Sequence, residues 1–295
     1  MQRYYFIVNP ISGAGRGKAE FEKAAAILRE KNIDFGFVYT QKPREAIALA
    51  KAALENGETC IAAVGGDGTV NEVASVLANS GATMGILPFG TGNDLAQSLS
   101  LPLETEAAVE ALLRGVPQKM DAALANGALF INVAGFGFDV DVVRYTEKYK
   151  KRMKGMLPYL FGIMESLMHL KPIPVTVEPD AGEPFSTTAL LFSACNGRQF
   201  AGGIKVAPLA QLQDGLLDVC ILKGIGKLAF LKLLPKYIKG KHLDSEHIVY
   251  FKAKSVTAKA PAGMCLNLDG ELGEATPVTF TILSGALNIL MPAAE

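Results

Sequence analysis

The sequence predicts an α/β plus β protein: an N-terminal domain built on a parallel sheet, followed by an antiparallel β-sandwich. Up to Asp121, short apolar runs alternate with stretches of helical period. Beyond it the texture becomes β-rich, with turn dipeptides between the runs. The 295 residues, 49% of them hydrophobic, are enough for two cores.

In the first part, Tyr4–Val8, Phe35–Tyr39, 59–64 and 84–87 read as buried strands bounded by Gly, Pro or Asn. Residues 21–28, 46–54 and 70–77 repeat apolar residues at helical spacing between them. Such alternation implies a parallel sheet with helices on both faces, which binds ligands beyond the carboxyl ends of its strands. In the second part, 128–134, 175–177, 189–194, 216–222, Ile248–Ala253 and 278–283 are strand-like. Asn196-Gly197, Gln213-Asp214-Gly215 and Asp269-Gly270 mark turns, and 157–170 and 226–238 are helical. The expected domains are 1–121, with the tail 284–295 packing back on it, and 122–283.

Lys+Arg and Asp+Glu both number 29, which argues against a nucleic-acid partner. No apolar run approaches the roughly 20 residues of a membrane span; Pro158, Glu165 and His169 interrupt 157–170. The start, Met1-Gln2-Arg3, shows no signal-peptide pattern, so the expected location is cytoplasmic. Cys60, Cys195, Cys220 and Cys265 are scattered in apolar runs and read as buried thiols, and His169, His242 and His247 lack metal-ligand spacing.

Three glycine-rich segments follow strands. Asn9-Pro10-Ile11-Ser12-Gly13-Ala14-Gly15-Arg16-Gly17-Lys18 is one residue short of a P-loop, with Ala19 where a Ser or Thr is needed. Gly65-Gly66-Asp67-Gly68-Thr69 lets backbone approach a polyphosphate without Cβ obstruction. Thr69 and Glu72 have capping-box spacing, predicting a helix start there, and helix N-termini favour anions. Asp67 within such a loop calls for a cation between it and the phosphates, hence Mg²⁺. Pro88-Phe89-Gly90-Thr91-Gly92-Asn93-Asp94 is expected to wall the nucleotide from the other side, with Asn93 or Asp94 able to cap the next helix.

In this order, Asn9-Pro10-x-Ser12-Gly13, Gly65-Gly66-Asp67-Gly68-Thr69-Val70-Asn71-Glu72 and Pro88-x-Gly90-Thr91-x-Asn93-Asp94 resemble the bacterial lipid kinases of the diacylglycerol kinase catalytic-domain superfamily, which includes sphingosine and ceramide kinases. Gln213-Asp214-Gly215-Leu216-Leu217-Asp218 and Asn267-Leu268-Asp269-Gly270-Glu271 extend the likeness to nearly the whole chain. The resemblance implies a Rossmann-like nucleotide domain and an ATP-dependent kinase that phosphorylates a lipid hydroxyl, diacylglycerol to phosphatidic acid. It implies that Asn9, Ser12, Thr40, Gly65, Gly66, Asp67, Gly68, Thr69, Asn71, Glu72 and Thr91 line the nucleotide. Asp67 would hold a catalytic Mg²⁺, and Glu271 would act as general base with Asp269 close by. A second, structural Mg²⁺ would sit at Asp214 with the carbonyls of Gln211 and Leu216, tied to Asp121 and Asp94 by a polar network. Where the family tends to carry an arginine one helix turn after the Asn-Asp pair, this chain has Gln97.

Contact with an anionic membrane is expected from two segments. Lys148, Lys150, Lys151, Arg152 and Lys154 precede the apolar 157–170, and in 227–241 Lys232, Lys236 and Lys239 fall on one helical face with Phe230, Leu233, Leu234 and Tyr237 on another. Pro235 is expected to kink or interrupt that helix. A solvated lysine face over a core-facing stripe explains either segment equally well. An exposed strand of the second domain offers an edge for a homodimer. Two rival readings share the Asp67 loop: a small-molecule kinase of the NAD-kinase type, and a non-catalytic nucleotide or lipid sensor. The late Asp269-Gly270-Glu271 argues against the first, and the presence of both Asp67 and Glu271 against the second. By itself, Asp-Gly also reads as a plain hairpin turn.

Overall fold

The computed structural model of the chain describes residues 2–150, 153, 157–273 and 277–292, without the side chains of residues 150 and 159. The chain divides into two units: 1–122 with 212–214 and 283–295, and 123–211 with 215–282.

The first unit holds β1 (Tyr4–Val8), α1 (Ser12–Gly15), α2 (Gly17–Glu30), β2 (Phe35–Tyr39), α3 (Glu45–Glu55), β3 (Cys60–Gly65), α4 (Asp67–Leu77), β4 (Thr83–Pro88), α5 (Asp94–Ser98), α6 (Thr105–Arg114) and most of β5 (Val116–Ala125). Its sheet is parallel in the order β2-β1-β3-β4, and the last residues of the final strand add a parallel edge at Asn288 and Ile289 beside Thr83 and Met84. All six residues of β3 are buried, as a central strand covered on both faces requires. Phe6 lies 5.5 Å from Phe21 of α2 and packs with Leu28, Leu87 and Val109. Ala24 and Ala25 let α2 sit close to the sheet.

The second unit holds β6 (Ala128–Phe130), β7 (Val133–Gly137), α7 (Phe138–Lys150), α8 (Leu157–Met168), β8 (Ile173–Pro179), β9 (Phe185–Cys195), β10 (Leu217–Lys223), α9 (Lys227–Ile238), β11 (Ile248–Ala253), β12 (Ser255–Lys259), β13 (Leu266–Leu268), β14 (Glu271–Gly273) and the start of β15 (Val278–Met291). Its pairings are antiparallel. β9 changes partner along its length, pairing with β8 through Phe185 to Ala189 and with β7 through Leu191 to Cys195. The two-residue alternation of β9 and β10 separates two cores. Phe192, Ala194, Val219 and Ile221 face an aromatic stack in which Phe136 and Phe192 lie 5.0 Å apart. Leu191, Cys195, Cys220 and Leu222 face Phe230, Leu233 and Tyr237 of α9. Cys195 and Cys220 are therefore small apolar fillers under a helix, and burial pushes both thiols up.

Three local expectations need correction. α4 starts at Asp67, two residues before Thr69, with Gly66 as N-cap and no side-chain cap bond. Glu72 does not close a capping box: its Oε2 accepts the N–H of Ala46 in the first turn of α3 (3.1 Å). Of the kink or interruption expected at Pro235, the interruption does not occur, because α9 runs through the proline to Ile238. The sequence pattern also misses α7, whose Val140, Val142 and Val143 are β-branched and poor helix formers. Asp139 and Asp141 in its first turn complement the helix dipole.

Candidate active site

β1, β3 and β4 are neighbours, so the loops after them emerge side by side at the carboxyl edge of the sheet. Asn9 ties the first loop to the second, its side-chain amide donating to Thr69 Oγ1 (3.2 Å) and its backbone N–H to the Val64 carbonyl (2.9 Å). Ser12 Oγ donates back to the Asn9 carbonyl (3.0 Å). Thr40 follows β2 and is anchored by its N–H to the Val8 carbonyl (2.9 Å).

The second and third loops meet backbone to backbone. A Cβ on Gly90 would fall on the Gly66 α-carbon, which only a glycine pair permits. Asp67 fastens this contact: Oδ2 accepts the N–H of Asn93 (2.8 Å) and Oδ1 that of Asp94 (2.6 Å). A Cβ on Gly92 would sit 2.7 Å from Asp67 Oδ2 and 3.5 Å from Asp94 Oδ2, so the two carboxylates converge where Gly92 leaves room. Gln97, standing where an arginine was expected, closes the loop by donating its amide to the Gly92 carbonyl (2.6 Å). Asn93 Oδ1 accepts the N–H of Gly90 (2.9 Å), and Asn93 itself adopts the left-handed conformation at the start of α5. Gly68 and Thr91 are exposed, and a side chain on Gly68 would meet nothing within 4 Å. Gly65 and Thr69 are buried beneath them, while Asn71 and Glu72 are half-buried one turn along α4.

Around the start of β5, the Asp121 N–H donates to the Leu212 carbonyl (2.7 Å), and its buried carboxylate accepts the N–H of Gly285 (2.7 Å). Gln213 Nε2 donates to the Lys119 carbonyl (2.6 Å), which holds residues 212–214 on that strand. Gln211 is exposed, and Asp214 and Leu216 are half-buried in the turn before β10. Among the described residues, no three His, Cys, Asp or Glu side chains gather to hold a metal.

In the second unit, Asp269 and Gly270 form a two-residue hairpin turn between β13 and β14, both at positive φ. The Asp269 carboxylate accepts three backbone N–H groups, from Ile131 (2.7 Å), Asn132 (3.0 Å) and Val133 (2.9 Å). Glu271, the first residue of β14, is exposed. Sequence reasoning missed two residues behind this turn. Asn267 accepts the Gly270 N–H (2.8 Å) and donates to Asp139 Oδ2 (3.0 Å). Burial pushes Asp139 up to about 6, against the lowering effect of the Asn267 bond. Two acids, Asp139 and Asp141, in the otherwise apolar run 133–143 and an asparagine two residues before Asp269 were the available signals.

Of the basic run, Lys148 is paired with Glu165 (2.8 Å) and lies near the Tyr149 ring. Lys151, Arg152, Lys154 and the Lys150 side chain lie outside the described residues. No helix among the described residues is long and apolar enough to cross a membrane.

Residues 3–125 match the diacylglycerol kinase catalytic domain, and residues 132–291 match the YegS C-terminal NAD kinase β-sandwich-like domain. Diacylglycerol kinase of Bacillus subtilis is 33% identical, with 99% of this chain and 97% of that protein covered. Diacylglycerol kinase of Staphylococcus carnosus is 30% identical, with 99% and 95% covered. The fold is shared with a crystal structure of a Bacillus anthracis diacylglycerol kinase (TM-score 0.75, 23% identity, 99% and 97% covered). An Archaeoglobus fulgidus NAD kinase crystallised with ATP shares it more distantly (TM-score 0.56, 12% identity, 99% and 94% covered). With both domains matched in order and these relatives aligned almost end to end, the chain belongs to the diacylglycerol kinase family and is a kinase.

Proposed function

We propose that the chain transfers the γ-phosphate of ATP to a lipid hydroxyl, converting diacylglycerol to phosphatidic acid. The observation that carries this is the meeting of three glycine loops at one sheet edge around the start of α4, with Asp67 bonded at its centre. The relatives named diacylglycerol kinase support the choice of lipid.

The residues fit a nucleotide and a magnesium ion. Gly68 leaves the α4 N-terminus open, where backbone dipoles favour phosphate. Asp67 and Asp94 converge as two hard oxygen donors, and magnesium is ordinarily held by one or two carboxylates plus substrate phosphates. When bound, the ion neutralises charge on the transferring phosphoryl group. Asn9, Ser12, Thr40, Gly65, Gly66, Thr69, Asn71, Glu72 and Thr91 position the nucleotide. Glu271 accepts the lipid hydroxyl proton as the new P–O bond forms and the bond to ADP breaks. Asp269 acts through Glu271, holding the hairpin that carries it. At Asp214, one carboxylate with the Gln211 and Leu216 carbonyls offers an oxygen set suited to a second, structural magnesium. The enzyme meets an anionic membrane transiently from the cytoplasmic side, and edge strands such as β11 offer a route to a homodimer.

Labelled ATP offered with total lipid extract, with NAD, and alone tests the reading. Label in an organic-phase product supports it. Label in a dinucleotide, or no transfer at all, overturns it.

A further inference from the structure

Two helices of the second unit present a surface that phosphate chemistry does not use. α8 packs on α7 along buried Gly162 and Ser166; a Cβ on Gly162 would come within 2.5 Å of Thr146 Oγ1, so glycine lets the helices meet. On its other side α8 carries Leu157, Leu160, Phe161, Met164 and Met168, between 43% and 71% exposed. Their spacing of i, i+3, i+4, i+7 and i+11 makes one stripe, on the face where a helix lying on a water-soluble core is normally polar. Glu165, the only charged residue of α8, is held by Lys148.

α9 continues the pattern. Phe230, Leu233 and Tyr237 are buried in the core, while Leu228 (77% exposed), Leu231 and Ile238 point outward. Lys232, Lys236 and Lys239 fall on the helical face beside that apolar line. Residues 226–241 contain Lys227, Lys232, Lys236, Lys239 and Lys241 and no acid. Lys227 Nζ donates to the Met168 carbonyl (2.5 Å), tying the start of α9 to the end of α8.

We propose that the outward faces of α8 and α9 form a docking surface for an anionic lipid bilayer. The α8 stripe enters the headgroup–acyl boundary, and the α9 lysines bind the headgroups. Charge complementarity selects a bilayer over a second copy of the chain, because two such faces would bring the lysine arrays of both copies together. The inference rests on the lipid-kinase reading and assigns insertion to the outward α8 side chains and headgroup binding to the α9 lysines.

The full chain is mixed with phosphatidylglycerol or phosphatidylcholine vesicles and sedimented, beside Met164→Asp/Met168→Asp and Lys232→Glu/Lys236→Glu. Turnover on a short-chain, water-soluble diacylglycerol and circular dichroism serve as controls for folding. The wild type should prefer phosphatidylglycerol by about tenfold or more, and each double variant should lose about tenfold in vesicle binding with short-chain turnover retained. Phosphatidylglycerol binding should partly survive 0.5 M salt in the wild type, since apolar insertion is not screened. Wild-type vesicle binding in both folded variants, or self-association that the α8 variant abolishes without any vesicle binding, overturns the docking surface. Absence of turnover on every lipid, with α8-dependent vesicle binding intact, supports the surface and sinks the lipid-kinase reading instead.

Discussion

In each unit an aspartate gathers several backbone N–H groups of another segment, and the two differ in what surrounds them. Asp67 takes the N–H groups of Asn93 and Asp94, and Asp269 those of Ile131, Asn132 and Val133. Asp67 stands in the first turn of a helix, beside a second carboxylate and an open glycine. Asp269 stands in a hairpin at φ +50°, its acceptor sites engaged by three donors and the chemically exposed acid two residues on. In the proposed reaction the same bonding serves a ligand site in one unit and the orientation of Glu271 in the other.

The largest expected effect is on Asp67. Asp67→Ala should lower kcat by about 10³-fold, as loss of a preorganised charge does at a transferring group. Releasing its two N–H groups should cost a smaller amount, about 1–2 kcal/mol, in urea unfolding. A large stability loss with near-normal kcat would make Asp67 merely a staple between loops. Asp269→Ala should show the reverse weighting. Leaving three N–H groups without their carboxylate should cost about 3 kcal/mol in urea unfolding, and a stability unchanged from wild type would contradict its anchoring role. Glu271→Gln keeps the hairpin and should reduce kcat about 10²-fold with unfolding unaltered, because Glu271 is exposed. Unchanged turnover with the lipid substrate would remove Glu271 as the base.

A smaller effect concerns pH. Asp139 titrates at about 6 in the fold against an ordinary value of 3.8, so the folded chain binds more protons than the unfolded chain between those values. Stability should therefore fall as pH rises from about 4 to about 6, then level off. Asp139→Asn should flatten that part of a Tm–pH series while keeping an acceptor for Asn267. A series identical to wild type would place the titration elsewhere, with nearby Asp141 the next group to replace.

Much of the first unit was legible because its signals are local. Strand–helix alternation exposes the parallel sheet, and glycines after strands mark where backbone must come close to something. The sequence could not say to what. Gly66 and Gly90 make room for each other, and Glu72 serves α3 although its spacing to Thr69 suggested its own helix. α7 was missed because β-branched residues are weak evidence for helix, and packing against α8 overrides that preference.

The strand–helix alternation of the first unit, the β-rich texture of the second, the glycine loops and the turn at Asp269-Gly270 were determined by the sequence alone, since each follows from propensity, period or a short motif. Only the tertiary structure decided that Asp67 bonds the third loop, that Asp269 is an anchor, that Asn267 links the hairpin to buried Asp139, and that α8 turns methionines and leucines outward. The physical reason is range. A turn or a helix stripe is specified within a few residues, whereas the partner of a buried polar group can lie more than a hundred residues away, and the exposed side of a helix depends on which neighbour has already covered the other.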